Sequence, residues 1–415
     1  MKRAQPAPPG GDGTRPPLAA VRVLDLSRIL AGPWATQLLA DLGADVIKVE
    51  KPGAGDDTRH WGPPWLEHGD EKVAAYFLAA NRGKRSVAID FSTEEGAALV
   101  RRMAADADVV IENFKVGGLR KFGLDAESLR AANPRLVYAS ITGFGQDGPY
   151  ASRAGYDYII QGMGGLMSLT GLPDGEPGGG PMRVGVAVAD LFTGMYTANA
   201  ILAALYRREQ TGEGATIDMA LLDTQLAMLA NQASNSLVGG TDPKRQGAGH
   251  PNIVPYQTFD AADQPIIIAV GNDRQFARLA AILGHLEWTE DPDFATNAAR
   301  VAARERLVPM IAGIIAAKPA SYWLEQLEEC GIPAGPINTI SQALADPQAI
   351  HRGARLDLGG GALGEVPMVG SPIRMDGRRS DADLPPPALG EHGNLLLEWI
   401  DAAEMERLKA SGILG

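Results

Sequence analysis

Short, nearly continuous apolar runs alternate with stretches of helical period along the first half of the chain. Residues 21–26 (Val-Arg-Val-Leu-Asp-Leu) read as a buried strand. Pro33 suits the first turn of a helix whose apolar positions include Leu38, Leu39 and Leu42, and Gly43 stops it. Residues 45–50 then form a second strand, a βαβ unit that demands a parallel pair. The pattern repeats with strands at 86–90, 109–112 and 135–141. A capping-box pattern, Ser92 with Glu95, opens the helix that runs to about Ala105. A long apolar helix follows Asp190 to about Tyr206, then a strand at 215–219 and a helix to about Leu237. This alternation predicts an α/β fold built on an open, doubly wound parallel sheet.

The periodicity changes after residues 239–247, which read as a linker by their Gly, Asp and Pro content. A strand at 265–270 and helices over most of 273–330 predict a smaller α+β domain. At 415 residues the chain exceeds one hydrophobic core. The expected division is a disordered Pro/Gly tail at 1–18, a large domain at 19–238 and a small domain with linkers at 239–334. Residues 335–415 are expected to return to the large domain.

Composition narrows the chemistry. A net charge of −12 argues against nucleic acid or an anionic membrane as the main partner. No apolar run reaches transmembrane length, and the N-terminus lacks an apolar signal core. The single cysteine, Cys330, excludes an internal disulfide framework and fits a reducing, cytoplasmic setting. The six histidines never fall at ligand spacing, so no metal is expected. Gly143-Phe-Gly-Gln-Asp-Gly148 follows a strand but runs into Pro149 with no helix for a pyrophosphate to cap, a poor dinucleotide fingerprint. No phosphate-binding P-loop and no nucleophile-elbow serine is present.

Asp190 remains as a chemical oddity. It sits among small and apolar residues (Val-Ala-Val-Ala-Asp-Leu-Phe-Thr-Gly at 186–194) where a long helix begins. An aspartate there is either an N-cap or a nucleophile kept ionised by the helix terminus yet poorly solvated. Lys51, Arg59, Lys84, Arg85, Lys115, Arg120 and Lys121 flank predicted strand ends, where open α/β sheets bind ligands. Singly each reads as a solvated charge; together they suit the phosphates of an anionic, nucleotide-like ligand.

Several segments in one order resemble the family III CoA-transferases, also called the CaiB/BaiF family. They include Leu-Asp-Leu-Ser-Arg-Ile-Leu-Ala-Gly-Pro at 24–33, Gly-Ala-Asp-Val-Ile-Lys-Val-Glu at 43–50 and Gly-Asp-Asp-Thr-Arg at 55–59. Asn-Arg-Gly-Lys-Arg-Ser at 81–86, Glu-Asn-Phe at 112–114, the 143–149 turn, Gly-Tyr-Asp at 155–157 and Ala-Asp at 189–190 follow. The resemblance implies a Rossmann-like large domain, a small domain and an interlocked homodimer. It places Asp190 on the catalytic aspartate, which attacks an acyl-CoA thioester and passes through a mixed anhydride and an aspartyl-CoA thioester. Acyl-CoA and a small carboxylic acid are then the substrates, and no separate cofactor is needed. By the same resemblance Lys51, Lys84, Asn113, Phe114, Lys121 and Phe122 contact CoA. Leu30 stands where formyl-CoA transferase has a glutamine, which counts against an oxalate-type substrate. Tyr156 stands where racemases of the family carry a histidine, and a phenol with a pKa of about 10 is a poor base near neutrality. The segments at 183–190, 249–257 and 271–276 look most like members that exchange CoA between succinyl-CoA and glutarate. A dicarboxylate needs a second cationic anchor, for which Arg59, Arg183 and His250 are candidates. A 2-methylacyl-CoA racemase and a non-catalytic CoA-binding protein stay open as alternatives.

Overall fold

The computed structural model describes residues 15–415. Its strands begin with β1 (Arg22–Asp25), β2 (Asp45–Glu50), the hairpin β3 (Trp65–His68) and β4 (Glu71–Ala74), and β5 (Lys84–Ala88). They continue with β6 (Val109–Glu112), β7 (Val137–Thr142) and β8 (Ala215–Ala220). The helices up to that point and just beyond are α1 (Ala31–Asp41), α2 (Ala75–Leu78), α3 (Glu94–Ala105) and α4 (Ala126–Ala132). After them come α5 (Asp157–Met163), α6 (Leu166–Leu169), α7 (Val188–Thr211) and α8 (Leu221–Met228).

Six strands form one parallel sheet in the order β5-β2-β1-β6-β7-β8. Taken in sequence order within the sheet this is 3-2-1-4-5-6, the doubly wound order, with its reversal between β1 and β6. Both faces of the strands are buried. One face packs on α3, α4 and the helix Ala402–Ala410 through Leu99, Met103, Leu129 and Leu408. The other packs on α1 and α7 through Ala35, Leu39, Ala198 and Ile201. Val- and Ile-rich strands with no polar face follow from that double coverage.

The chain divides into two units. The first runs up to Gly164 and resumes at Gly185–Ala230 and Pro347–Gly415. The C-terminal segment joins it through hydrogen bonds such as His392 N–H to the Ser86 carbonyl (2.9 Å). The second unit comprises Gly165–Val184 and Asn231–Asp346. It holds an antiparallel sheet of β9 (Tyr256–Asp260), β10 (Pro265–Ala269) and β11 (Ala334–Pro336) around Ile266, Phe276 and Trp323. Cys330 packs beside this core.

The observed division differs from the contiguous 19–238 and 239–334 domains expected from composition. Gly165–Val184 leaves the first unit because its turns bond within the second. Gly247 N–H donates to the Gly171 carbonyl (3.1 Å), and Arg245 pairs with Asp174. The expected tail at 1–18 lies outside the described residues as far as 14. Residues 15–18 belong to the fold, since Leu18 N–H donates to the Leu42 carbonyl (2.9 Å). Local signals slipped by small amounts too. Thr93, not Ser92, caps α3, accepting from Gly96 N–H (3.1 Å), because the Ser92 hydroxyl is taken by Asp90 (2.5 Å). The helix expected to reach Leu237 breaks at Ala230, whose φ is +46°.

Helix α7 corrects one expectation. At 24 residues and a mean hydropathy of 1.3 over its most apolar window, it is long and apolar enough by length and composition to cross a membrane. Its Ala189, Thr193, Ile201 and Leu205 are buried in the first unit. Small residues on α7 bring α1 close: a Cβ on Gly194 would meet the Ala31 carbonyl oxygen at 2.7 Å. The carboxyl-bearing start of α7 therefore lies beside the start of α1.

Candidate active site

The crevice at the sheet's reversal point is where ligands of this topology bind. A cavity of about 410 Å³ opens there, lined by Arg28–Ala31 after β1, Asn113–Val116 after β6, the 151–156 loop, and Asp190.

The loop after β1 rests on a buried ionic cluster. Lys84 donates to Asp25 (3.1 Å), the Pro33 carbonyl and the Asn81 side chain, and Lys48 pairs with Asp56 (3.0 Å). Arg59 clasps Glu50 with two hydrogen bonds, at 2.8 and 2.7 Å, and stacks over Phe77. Burial alone would raise the Asp25 carboxyl, but Lys84 and Lys48 hold it down at about 2. Burial brings Lys84 down to about 8. These facts correct two assignments. Lys84 is fully buried with every ammonium proton placed, so it cannot reach a CoA phosphate. Arg59 is spent on Glu50 and the Pro387 carbonyl and cannot anchor a substrate carboxylate.

Above that cluster, Ile29 adopts φ +71°, a left-handed conformation that costs a β-branched residue about 1–3 kcal/mol. Both Asp56 carboxylate oxygens accept from its N–H (3.2 Å each). Asn113 fixes the preceding residue like a short strand: it accepts from Arg28 N–H (2.8 Å) and donates to the Arg28 carbonyl (2.7 Å). Its amide is thus committed to shaping the loop that presents Leu30, although the residue still lines the cavity. The neighbouring Glu112 carboxyl accepts from Phe114 N–H (2.8 Å), and burial pushes it up to about 7.

Asp190 occupies the third position of α7, whose N-cap is Ala187, so it is not the cap. Asp157 does that work. Its Oδ1 accepts from Ala189 N–H (2.8 Å) and Asp190 N–H (3.4 Å), while Gln161 donates to its Oδ2 (2.7 Å). The Asp190 carboxylate itself makes no hydrogen bond or ion pair among the described residues. Burial, and secondarily the Asp157 charge, push its pKa up to about 7. A free helix terminus would keep Asp190 ionised, as its place in the sequence implies. In the structure that terminus is already engaged by a second carboxylate, and the balance reverses.

The remaining sequence candidates separate into groups. Leu30 and Tyr156 line the Asp190 cavity, Leu30 buried and Tyr156 exposed. Lys51 and Phe114 line a second cavity of about 340 Å³ beyond the ends of β1, β2 and β5. There Phe91 meets Phe114 and Phe122 edge-on, at centroid distances of 5.8 and 6.0 Å, and the Lys121 ammonium lies 4.7 Å from the Phe122 ring. Arg183 and His250 belong to the second unit. The His250 ring accepts from Asn252 N–H (3.1 Å) and packs on Tyr256.

Sequence reasoning missed Arg28 and Arg153, which line the Asp190 cavity, Phe91 in the second cavity and Asp157 at the start of α7. Asp157 lies in the 155–157 motif, but nothing local shows a cap acting across 32 residues. Phe91 follows a strand end, which was the available signal. The glycines of the 143–148 turn serve close packing: a Cβ on Gly143 would lie 2.5 Å from Gly155 Cα, so two backbones cross there.

A six-stranded parallel sheet with its crevice at the reversal point defines an α/β enzyme architecture. Residues 18–393 match the model of CoA-transferase family III, and the chain is an enzyme of that family. It is 53% identical over 392 residues to the succinate–glutarate CoA-transferase of Agrobacterium fabrum, covering 94% of this chain and 97% of that one. It is 40% identical over 401 residues to the human succinyl-CoA:glutarate CoA-transferase, covering 96% and 90%. The crystal structure of a CaiB/BaiF family protein from Brucella suis superposes with a TM-score of 0.81 at 53% identity, covering 93% and 98%.

Proposed function

We propose that this enzyme moves CoA from succinyl-CoA to a second dicarboxylate such as glutarate, with Asp190 as the covalent nucleophile. The observation that carries the nucleophile is a carboxylate with no partner of its own among the described residues, lining a cavity at the ligand-binding edge of the sheet. The dicarboxylate reading is supported by the relatives named above.

The ionised Asp190 attacks the thioester carbonyl. The C–S bond breaks, leaving a succinyl–aspartyl anhydride and CoA thiolate. The thiolate attacks the aspartyl carbonyl and releases succinate, giving an aspartyl-CoA thioester. Glutarate attacks that carbonyl and expels the thiolate, forming a glutaryl–aspartyl anhydride. The thiolate then attacks the glutaryl carbonyl, which yields glutaryl-CoA and free Asp190. One thioester is exchanged for another, so neither a metal nor a separate cofactor is called for. Backbone N–H groups at the start of α1, beside the start of α7, suit the developing oxyanion. The aromatic second cavity with Lys51, Lys121, Phe114 and Phe122 suits the nucleotide end of CoA.

Incubation with succinyl-CoA without an acceptor should place CoA on the peptide bearing Asp190, read by mass spectrometry. An adduct on any other carboxylate would refute the assignment.

The interlocked homodimer expected from the family is part of this reading. An apolar strip of Phe192, Met195 and Tyr196 on α7, with Ile159 and Met163 on α5, is exposed in the single chain and supports it. Light scattering should give twice the 43.7 kDa chain mass. A monomer at micromolar concentration would end this part of the proposal.

A further inference from the structure

The dicarboxylate reading leaves the distal carboxylate of the acid without a partner. Arg59, one candidate for it, is consumed by Glu50. The charged groups lining the Asp190 cavity are Arg28, Asp57, Lys115, Arg153 and Asp190. Arg28 already pairs with Asp57 (3.3 Å) and lies over the Phe114 ring. Lys115 is shared between this cavity and a neighbouring one, and among the described residues no ring or hydrogen bond orients its ammonium.

Arg153 is different. Its guanidinium makes no ion pair among the described residues. It sits 4.5 Å from the Tyr150 ring centroid and 5.7 Å from that of Phe144, and those two rings pack edge-on at 5.5 Å. Two aromatic rings thus lie against the cation at the wall of the cavity that contains Asp190. The backbone behind it is fixed where Gly143 and Gly155 cross. The guanidinium N–H groups make no hydrogen bond among the described residues, which leaves the planar fork for a bidentate acceptor such as a carboxylate.

We propose that Arg153 is the specificity-determining anchor for the distal carboxylate of the acyl donor and acceptor. This rests on the dicarboxylate transfer reading and adds the residue that would enforce it. The reacting carboxyl faces Asp190 while the other end of the acid meets Arg153. A monocarboxylate would leave that cation without its counter-charge, so the site favours diacids through one group.

The test compares wild type with Arg153→Gln and Arg153→Lys. Each is assayed with succinyl-CoA and with glutarate or valerate as acceptor, and KM is determined for every substrate. A charge-assisted pair predicts that Arg153→Gln raises the KM for glutarate by about 10- to 100-fold. The preference for glutarate over valerate should collapse by the same factor, with Arg153→Lys falling in between. Arg153 is solvent-exposed, so the variants should keep the wild-type melting temperature. An Arg153→Gln enzyme whose glutarate-to-valerate preference is unchanged overturns the inference, including the case where only the succinyl-CoA KM rises. A wild-type enzyme that prefers valerate defeats the dicarboxylate reading instead, and that is seen before any variant is made.

Discussion

Asp190→Asn abolishes CoA transfer and, above pH 7, yields a more stable protein. Asparagine is isosteric but cannot form the anhydride, so turnover and the covalent CoA adduct should both disappear. The stability gain follows from the carboxyl's position. In the folded chain Asp190 keeps its proton up to about pH 7, against 3.8 for the ordinary group. Between those values the folded state binds more protons than the unfolded one, so stability falls as pH rises through that window. The amide removes this penalty. A gain on the order of 1–2 kcal/mol at pH 8, a few degrees in Tm, is expected, with little change at pH 4. Wild-type transfer should correspondingly rise with pH through about 7, with Asp157 and Tyr76 as the titratable neighbours. A variant that still turns over through an adduct sinks the nucleophile. A lower Tm at pH 8 would show instead that the charge supports the fold.

The second large effect lies below the crevice. Lys84→Met removes the paired cation and leaves the buried Asp25 carboxylate with hydroxyl and backbone donors and only the more distant charge of Lys48. Breaking a buried pair on one side costs about 3–5 kcal/mol. Asp25 sits at the end of β1, so the loss should reach the loop that carries Ile29 and Leu30. Chemical denaturation should register it as a lower midpoint. Lys84→Met combined with Asp25→Leu should recover part of the loss, because no lone charge then remains. A single variant within 1 kcal/mol of wild type would mean that water reaches the pair.

The sheet was legible because strands covered on both faces are continuous apolar runs. β2 and β6 fall at the positions read from sequence, and β1, β7 and β8 within a residue or two. Charge could be counted but burial could not. Lys84 reads as one more cation near a strand end, and only packing shows it walled in by Asp25 and Asn81. Arg59 failed for the same reason. The division into units was hidden because Gly165–Val184 is joined to the second unit by turn bonds across long sequence separations, which leave no periodic trace. Asp190 stood out as a carboxyl among small residues, but its protonation depends first on burial and then on Asp157, which is local in space and remote in sequence.

That pairing changes what an acyl group does to the enzyme. In the proposed mechanism an Asp190 joined to succinate as an anhydride, or to CoA as a thioester, would carry no charge, so each covalent stage would relieve the burial of an ionised carboxylate and its crowding by Asp157. The free, ionised enzyme would be the stressed form, through burial first and the Asp157 charge second. The proposed anhydride and thioester would thereby be drawn closer in energy to the resting state. An exchange that must run in both directions benefits most from such levelling.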